Sequence, residues 1–205
     1  EKFKVDSDVI AYGARIRYSS DSELIEEWPI VKNGYYLIVG RLIPDNNADI
    51  IIDGFKRSKT NKKLVIVGDV PYTDSYAEVQ KKKASDDARL IFSGYDNDPQ
   101  VLAELYHNSY CYFHGHEFGG TNPTMIKALA YGCAILALDT AFNKEMLQNG
   151  KHGFFFIKSD ESVSCLVEEM DNRPDLVNQL KELAREGIID RYRWETVIAQ
   201  YHKVF

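Results

Sequence analysis

The sequence is poor in the features that would mark several functional classes. Its 205 residues include only three cysteines, Cys111, Cys133 and Cys165. Three is an odd number, and no pair stands in C-x-x-C spacing. Neither a disulfide framework nor a zinc site is signalled, so the thiols are expected to be reduced and buried. No apolar run reaches the roughly 18 residues that a membrane-spanning helix needs, and no secretory leader opens the chain. A cytoplasmic location is therefore expected. Positive charge is also in short supply: 25 Lys and Arg face 31 Asp and Glu, a net of −6. That balance disfavours nucleic acid or an anionic membrane as a broad partner, while leaving room for one basic pocket. No G-x-G-x-x-G follows the first predicted strand and no G-x-x-x-x-G-K-[ST] occurs, which sets aside nicotinamide and P-loop chemistry. Internal repeats and low-complexity tracts are missing too.

What remains is an ordinary globular balance, 44% hydrophobic and 27% charged, in a length suited to one domain or a domain plus an appendage. Opening at Glu1 rather than Met, the chain reads as a fragment or a processed product. Six short apolar runs stand out: YYLIVGR (35–41), KLVIVGD (63–69), RLIFSGY (89–95), YCYFHGH (110–116), AILALD (134–139) and GFFFI (153–157). Each is apolar on both faces, as in strands covered by helices on either side. Helix-period stripes lie between them: Ala48, Ile51, Ile52, Phe55; Val101, Leu102, Leu105, Tyr106; and Met125, Ile126, Leu129, Ala130. The alternation predicts an α/β fold with one doubly wound, mostly parallel six-stranded sheet. Residues 160–190 read as two helices split at Arg173-Pro174. A terminal helix carries Trp194, Val197, Ile198, Tyr201 and Phe205 on one face. Residues 1–34 read as a connector with one possible strand, Val9 to Tyr12.

Open parallel sheets bind ligands at the carboxyl ends of their strands. Attention therefore falls on Gly40-Arg41, Gly68-Asp69, Gly94-Tyr95, His114 to Asn122, and Asp139 to Asn143. The richest segment is YFHGHEFGGTNPTMIKALAYG, residues 112–132. There a strand ends near His116, and Gly119-Gly120-Thr121-Asn122 lead into a helix from Pro123, with Thr121 or Asn122 as its cap. Glycines admit close backbone approach, and a helix start offers free N–H groups and a positive dipole end. The segment is either an anion site suited to phosphate or a tight strand–helix turn. His114 and His116 share one face of a strand, a spacing that can hold a metal. No third ligand is evident. His116 is read instead as a sugar or phosphate contact and His114 as packed beneath it. His107, His152 and His202 read as surface residues.

In order along the chain, YYLIVGRLIPDNNADIIIDGF, KLVIVGD, FSGY, HGHEFGGTNPTMIKALAYGCAILALD and FNKEMLQNGKHGFFF resemble glycosyltransferase family 4. More narrowly they are similar to its bacterial rhamnosyltransferase-like subgroup, with its P-E-N-N and H-G-H-x-x-G-G-T-N-P patterns. The resemblance covers roughly residues 35 to 157 and the terminal helix. It implies a GT-B fold of two Rossmann-like domains facing a cleft, of which this chain is the C-terminal, nucleotide-sugar-binding one. Residues 1–34 would then be a connector from a missing N-terminal domain, 35–190 the Rossmann-like domain and 191–205 a terminal helix.

By position, the resemblance makes Arg41 the contact to the donor diphosphate, with Gly40 beside it. It turns the backbone of Gly119, Gly120, Thr121 and Asn122 toward the same group. Gly94 and Tyr95 lie where the family contacts the base, Tyr95 by stacking unless it simply packs. Most members carry two glutamates eight residues apart around the glycine loop. Here the second position is Lys127, which would contact phosphate or else point to solvent, and Glu117, the nearest match to the first, would contact the donor sugar. The usual lysine after the arginine is Asn46, as in the subgroup. Asp139 and Asn143 flank the fifth strand's end, and Glu145 either matches a family glutamate or is solvated. Arg41 and Glu117 are thus the expected catalytic groups. The expected reaction is retaining transfer from a nucleotide-diphosphate sugar, with dTDP-rhamnose suggested by the subgroup, to a glycan or lipid-linked acceptor. No cofactor or metal is implied. The acceptor would be held by the missing domain, the fragment alone would transfer little sugar, and the complete protein would sit in the cytoplasm, peripheral to the inner membrane. A non-catalytic nucleotide-sugar binding or scaffold domain is the alternative.

Overall fold

The computed structural model describes residues 8–19, 21–68, 75–94 and 98–204. All six apolar runs are strands: β1 (Tyr35–Val39), β2 (Lys63–Val67), β3 (Leu90–Gly94), β4 (Cys111–His114), β5 (Ile135–Leu138) and β6 (Gly153–Phe156). They form one all-parallel sheet in the order β3-β2-β1-β4-β5-β6. Because side chains alternate across a strand, each strand feeds two cores. Tyr36, Ile38, Leu64, Ile66, Phe113 and Leu136 point to one face. Tyr35, Leu37, Val65, Tyr112 and Ile135 point to the other.

The three stripes are the helices α1 (Ala48–Arg57), α3 (Pro99–Asn108) and α4 (Pro123–Tyr131), while α2 (Ser75–Ala84) lies between β2 and β3. Helix α1 lies on the first face with Ile51, Ile52 and Phe55 fully buried, and α3 and α4 lie on the second. Short α5 (Ala141–Met146) follows β5, and α6 (Asp160–Asn172) and α7 (Pro174–Ala184) follow β6. The last two are separated at Arg173, as the proline requires. Gly54 lets α1 and α6 approach closely, since a Cβ there would meet Asp160 O at 2.5 Å and Val163 Cβ at 2.6 Å. A one-turn α8 (Glu186–Ile189) precedes the terminal helix α9 (Trp194–Val204).

Three expectations are corrected. Val9 to Tyr12 is not a strand: Val9 and Tyr12 are exposed, and the nearest pairing is an isolated bridge from Ala14, beyond the segment, to Arg193. Cys165 is exposed on α6 while Cys111 and Cys133 are buried, all three being free thiols. His152 is fully buried, its Nδ1 3.1 Å from the carbonyl of Leu183, because the end of α7 closes over it. Of the apolar residues on α9, Val197 is buried, while Trp194, Ile198 and Tyr201 are exposed; Phe205 lies outside the described residues. No helix among the described residues is long and apolar enough to cross a membrane.

Candidate functional site

The strand order reverses direction between β1 and β4, and connections there leave toward opposite faces of the sheet. Such a switch point opens a crevice beyond the strands' carboxyl ends. A cleft of about 360 Å³ occupies that place, lined by Val39, Gly40, Arg41, Asn46, Val67, Gly68, Leu102, His116, Asn122, Pro123 and Thr124. Strands β1 and β2, the loop after β4 and the first turn of α4 therefore converge on one space.

Each wall is fixed by local chemistry. Pro123 occupies the first position of α4, and Asn122 Oδ1 caps it by accepting from Thr124 N at 3.0 Å and Thr124 Oγ1 at 2.7 Å. That leaves the positive end of the helix facing the cleft. Asn46 donates from Nδ2 to Arg41 O at 2.7 Å and so holds the turn after β1. The Arg41 guanidinium is exposed and has no carboxylate partner among the described residues. It bears instead on His116, which it helps to keep neutral.

His116 stands over His114, with ring centroids 4.5 Å apart and planes 9° from parallel. Burial, followed by the charge of Arg41, pushes the His116 pKa down to about 4. Burial first, and His116 second, pushes that of His114 well below the ordinary imidazole value. Both rings are therefore neutral at neutral pH. The backbone that carries them is clamped. Asn47, in the left-handed region at φ 51°, donates from Nδ2 to Gly115 O at 2.8 Å. Asn143 donates from Nδ2 to His116 O at 3.2 Å and to Leu138 O at 2.8 Å. Glu117 N donates to Asp45 O at 3.0 Å.

Beyond His116 and Asn122 lies a second, narrower slot, lined by His114, His116, Glu117, Phe118, Gly119, Gly120, Asn122, Thr140, Phe142 and Asn143. Glu117 Oε2 is 2.5 Å from Lys158 Nζ, and that hydrogen-bonded cation holds its carboxyl below the usual range. The glycines differ in what they serve. A Cβ on Gly68 would lie 1.9 Å from Gly40 O, and one on Gly115 2.2 Å from Asn46 O, so the protein itself excludes side chains there. At Gly119 and Gly120 a Cβ would meet nothing within 4 Å. Gly119 needs glycine for its φ of +117°, but Gly120 has no such constraint. The bare backbone at Gly120 leaves space for something other than this chain. A free guanidinium, a helix N-terminus and exposed glycine backbone together suit an anion with several oxygens.

The structure thus brings Gly40, Arg41, Asn46, His116 and Asn122 into one cleft and Glu117, Gly119 and Gly120 into the adjoining slot. Thr121 sits half-buried between them, lining neither. Lys127 is exposed in the second turn of α4, outside both. Gly94 ends β3 at φ +76° and accepts from Gly68 N at 2.9 Å, outside the lining; Tyr95 and Asp69 lie outside the described residues. Asp139 pairs with Lys144 at 2.6 Å and Glu145 with Arg191 at 3.2 Å. Phe118 and Phe142 lie within the strand-end segments singled out above, whereas Leu102, Thr124, Asn47 and Lys158 lie outside them. Thr124 had a signal, standing two residues after the cap, whereas Asn47 and Lys158 act on a loop distant in sequence. Among the described residues no three of His, Cys, Asp and Glu gather as a metal site.

Comparison with known proteins bears on this geometry. A family model described as Glycosyl transferases group 1 matches residues 20–187. A curated relative from Campylobacter jejuni subsp. jejuni serotype O:2 is N-acetylgalactosamine-N,N'-diacetylbacillosaminyl-diphospho-undecaprenol 4-alpha-N-acetylgalactosaminyltransferase. It is 27% identical over 159 residues, covering 76% of this chain and 39% of its own length. Anabaena HepE, in complex with UDP and glucose, superposes with a TM-score of 0.85 at 16% identity, covering 96% of this chain and 56% of that one. The C-terminal domain of a group 1 glycosyl transferase (LpcC) from Francisella tularensis gives 0.73 at 15% identity, covering 90% and 97%. The fold is that of the C-terminal half of GT-B glycosyltransferases. The chain spans about two fifths of the curated relative and little more than half of HepE.

Proposed function

The chain belongs to the group 1 glycosyl transferases, and from that premise we propose that it is the donor-binding half of a retaining glycosyltransferase. It would hold a nucleotide-diphosphate sugar in the cleft between β1 and β4. The observation that carries this reading is the Arg41 guanidinium, without a carboxylate partner among the described residues, set in one cleft with the N-terminus of α4 beside the bare backbone of Gly120. As the bond from the sugar to the diphosphate breaks, negative charge grows on the leaving oxygens. A fixed cation and preoriented N–H donors stabilise that charge without reorganising. Glu117, anchored by Lys158, would face the sugar from the adjoining slot.

The finer reading is membership of family 4 and its rhamnosyltransferase-like subgroup, with dTDP-rhamnose as donor. It is supported by the HGHEFGGTNP and PDNN segments. A lipid-linked saccharide as acceptor is supported by the diphospho-undecaprenol substrate named for the Campylobacter relative. The acceptor would be held by a further domain, which residues 1–34 would join to this one. The complete protein would then be cytoplasmic and peripheral to the inner membrane, and this chain alone would transfer little sugar. A second reading, a non-catalytic binding or scaffold domain, is favoured by Lys127, exposed on α4 where the family carries an acid.

Calorimetry with TDP, UDP and GDP, on the chain and on Arg41→Ala, tests the proposal. One diphosphate should bind and should weaken about ten- to a hundredfold in the variant, the worth of a charged hydrogen bond. No binding of any of the three at millimolar concentration would overturn it.

A further inference from the structure

Lys158 is a cation in a place that does not suit one. It immediately precedes Ser159, the N-cap of α6, and so stands at the positive end of that helix. Two acids follow it in the first turn, Asp160 and Glu161, yet both pair with Arg57, at 3.4 and 3.8 Å. Lys158 instead crosses to the loop after β4 and meets Glu117 Oε2 at 2.5 Å. A partly exposed pair of this kind contributes little to overall stability. Its effect is geometric, and it falls on the loop that Glu117 begins.

That loop keeps its donors unspent. Glu117 N donates to Asp45 O at 3.0 Å, and Asn122 N lies 3.5 Å from Met146 Sδ. Between them the N–H groups of Phe118, Gly119, Gly120 and Thr121 have no acceptor among the described residues, and residues 118–120 are exposed. These four groups are therefore set by the two ends of the loop. Asn122, the cap of α4, secures one end. At the other, Glu117 is held through its N–H by Asp45 and through its carboxylate by Lys158. Successive free N–H groups make a concavity for an anion only when they point the same way.

We propose that Lys158 is a positioning residue of the donor site: by gripping the Glu117 carboxylate it keeps the N–H groups of residues 118–121 prearranged for the diphosphate. The inference rests on the donor-site reading above and adds to it a residue beyond β6 that acts through Glu117. Without the grip, the loop would be ordered only as the nucleotide binds, which costs affinity and not fold.

The test titrates UDP, TDP and GDP into the full chain and carries whichever binds into four variants. These are Lys158→Met, Lys158→Arg, Glu117→Gln and the double variant Lys158→Met/Glu117→Gln. The Met and Gln variants should each bind about three- to tenfold more weakly, an ordering cost no longer met in advance. Lys158→Arg should stay close to the parent, since a guanidinium grips the same carboxylate. The double variant should be no weaker than the weaker single one, because both changes break one contact. Amide signals of Gly119 and Gly120 should shift on titration in the parent and in Lys158→Arg, and should shift less in Lys158→Met. Thermal midpoints should stay nearly level. Parent-like binding by Lys158→Met, weak binding by Lys158→Arg, or additive losses in the double variant overturn this inference and leave the donor site standing. Binding of none of the three nucleotides by the parent overturns both.

Discussion

The imidazoles of His114 and His116 lie face to face, 4.5 Å between centroids and 9° from parallel, beside the Arg41 guanidinium. Three groups that can each carry positive charge are thus brought together at one strand end, and two of them stay neutral. In an unfolded chain an imidazole takes its proton near pH 6.5, whereas folded His116 holds out to about 4 because of burial and then Arg41. The unfolded state therefore binds more protons between these values. The stability that depends on neutral His116 is whole above about pH 6.5 and is lost as pH falls toward 4. Thermal midpoints from pH 7 to 4.5 should fall more steeply for the parent than for His116→Gln; parallel curves would show that His116 is not the titrating group.

Nucleotide binding should run the opposite way. A diphosphate between Arg41 and His116 favours the imidazolium, so binding takes up a proton and tightens as pH drops from 7.5 to 6. Calorimetry in buffers of different ionisation enthalpy should report net proton uptake in the parent and none in His116→Gln.

Two glycines separate packing from ligand binding. Gly68 sits at φ +143° with Gly40 O where a Cβ would be, so Gly68→Ala should cost about 3 kcal/mol of stability. Gly120 faces open space at an ordinary φ, so Gly120→Ala should fold within about 0.5 kcal/mol of the parent. Its new methyl should nonetheless weaken diphosphate binding at least about tenfold, as a buried clash of 1–3 kcal/mol implies. Denaturant unfolding and calorimetry on the same pair of variants decide the matter. A Gly120→Ala variant that binds normally removes the loop from the site.

The sheet was legible because its four inner strands are buried on both faces, while the edge strands β3 and β6 are half-buried yet still apolar, so all six read as unbroken apolar runs. Val9 to Tyr12 has the same local look, yet no neighbouring strand pairs with it, and pairing is a property of the whole sheet. Helix α2 left no stripe because its buried positions are Ala77, Gln80 and Ala84, too small or too polar to mark a face. Within the site, Arg41, His116 and the glycine loop were legible since each stands next to a strand end. Lys158 on Glu117 and Asn47 on Gly115 were not. They act 41 and 68 residues away in sequence, and no local pattern states which strand ends will meet.

Asn143 tests how firmly the site's loop is held. It is 3% exposed, and its amide serves two carbonyls on different strand ends, His116 O and Leu138 O. Asn143→Ala should cost about 1–3 kcal/mol by leaving those oxygens without a donor. Asn143→Asp should cost more, because a carboxylate only accepts and would face both carbonyls. Denaturant midpoints should rank parent, Ala, Asp; an Asp variant as stable as the parent would mean that the two carbonyls find other donors.

The cysteines give a check on the fold that needs no ligand. Cys111 in β4 and Cys133 before β5 are fully buried, and burial pushes both thiols up, that of Cys133 to about 12. The thiolate is the reactive form, so both should resist a disulfide reagent at pH 8. Cys165 is exposed on α6 and should react at once. Native protein should therefore show one fast thiol, and three after unfolding in guanidinium, with Cys165→Ser abolishing the fast phase. Two or more fast thiols in the native protein would place β4 or the start of β5 in contact with water, against a sheet covered on both faces.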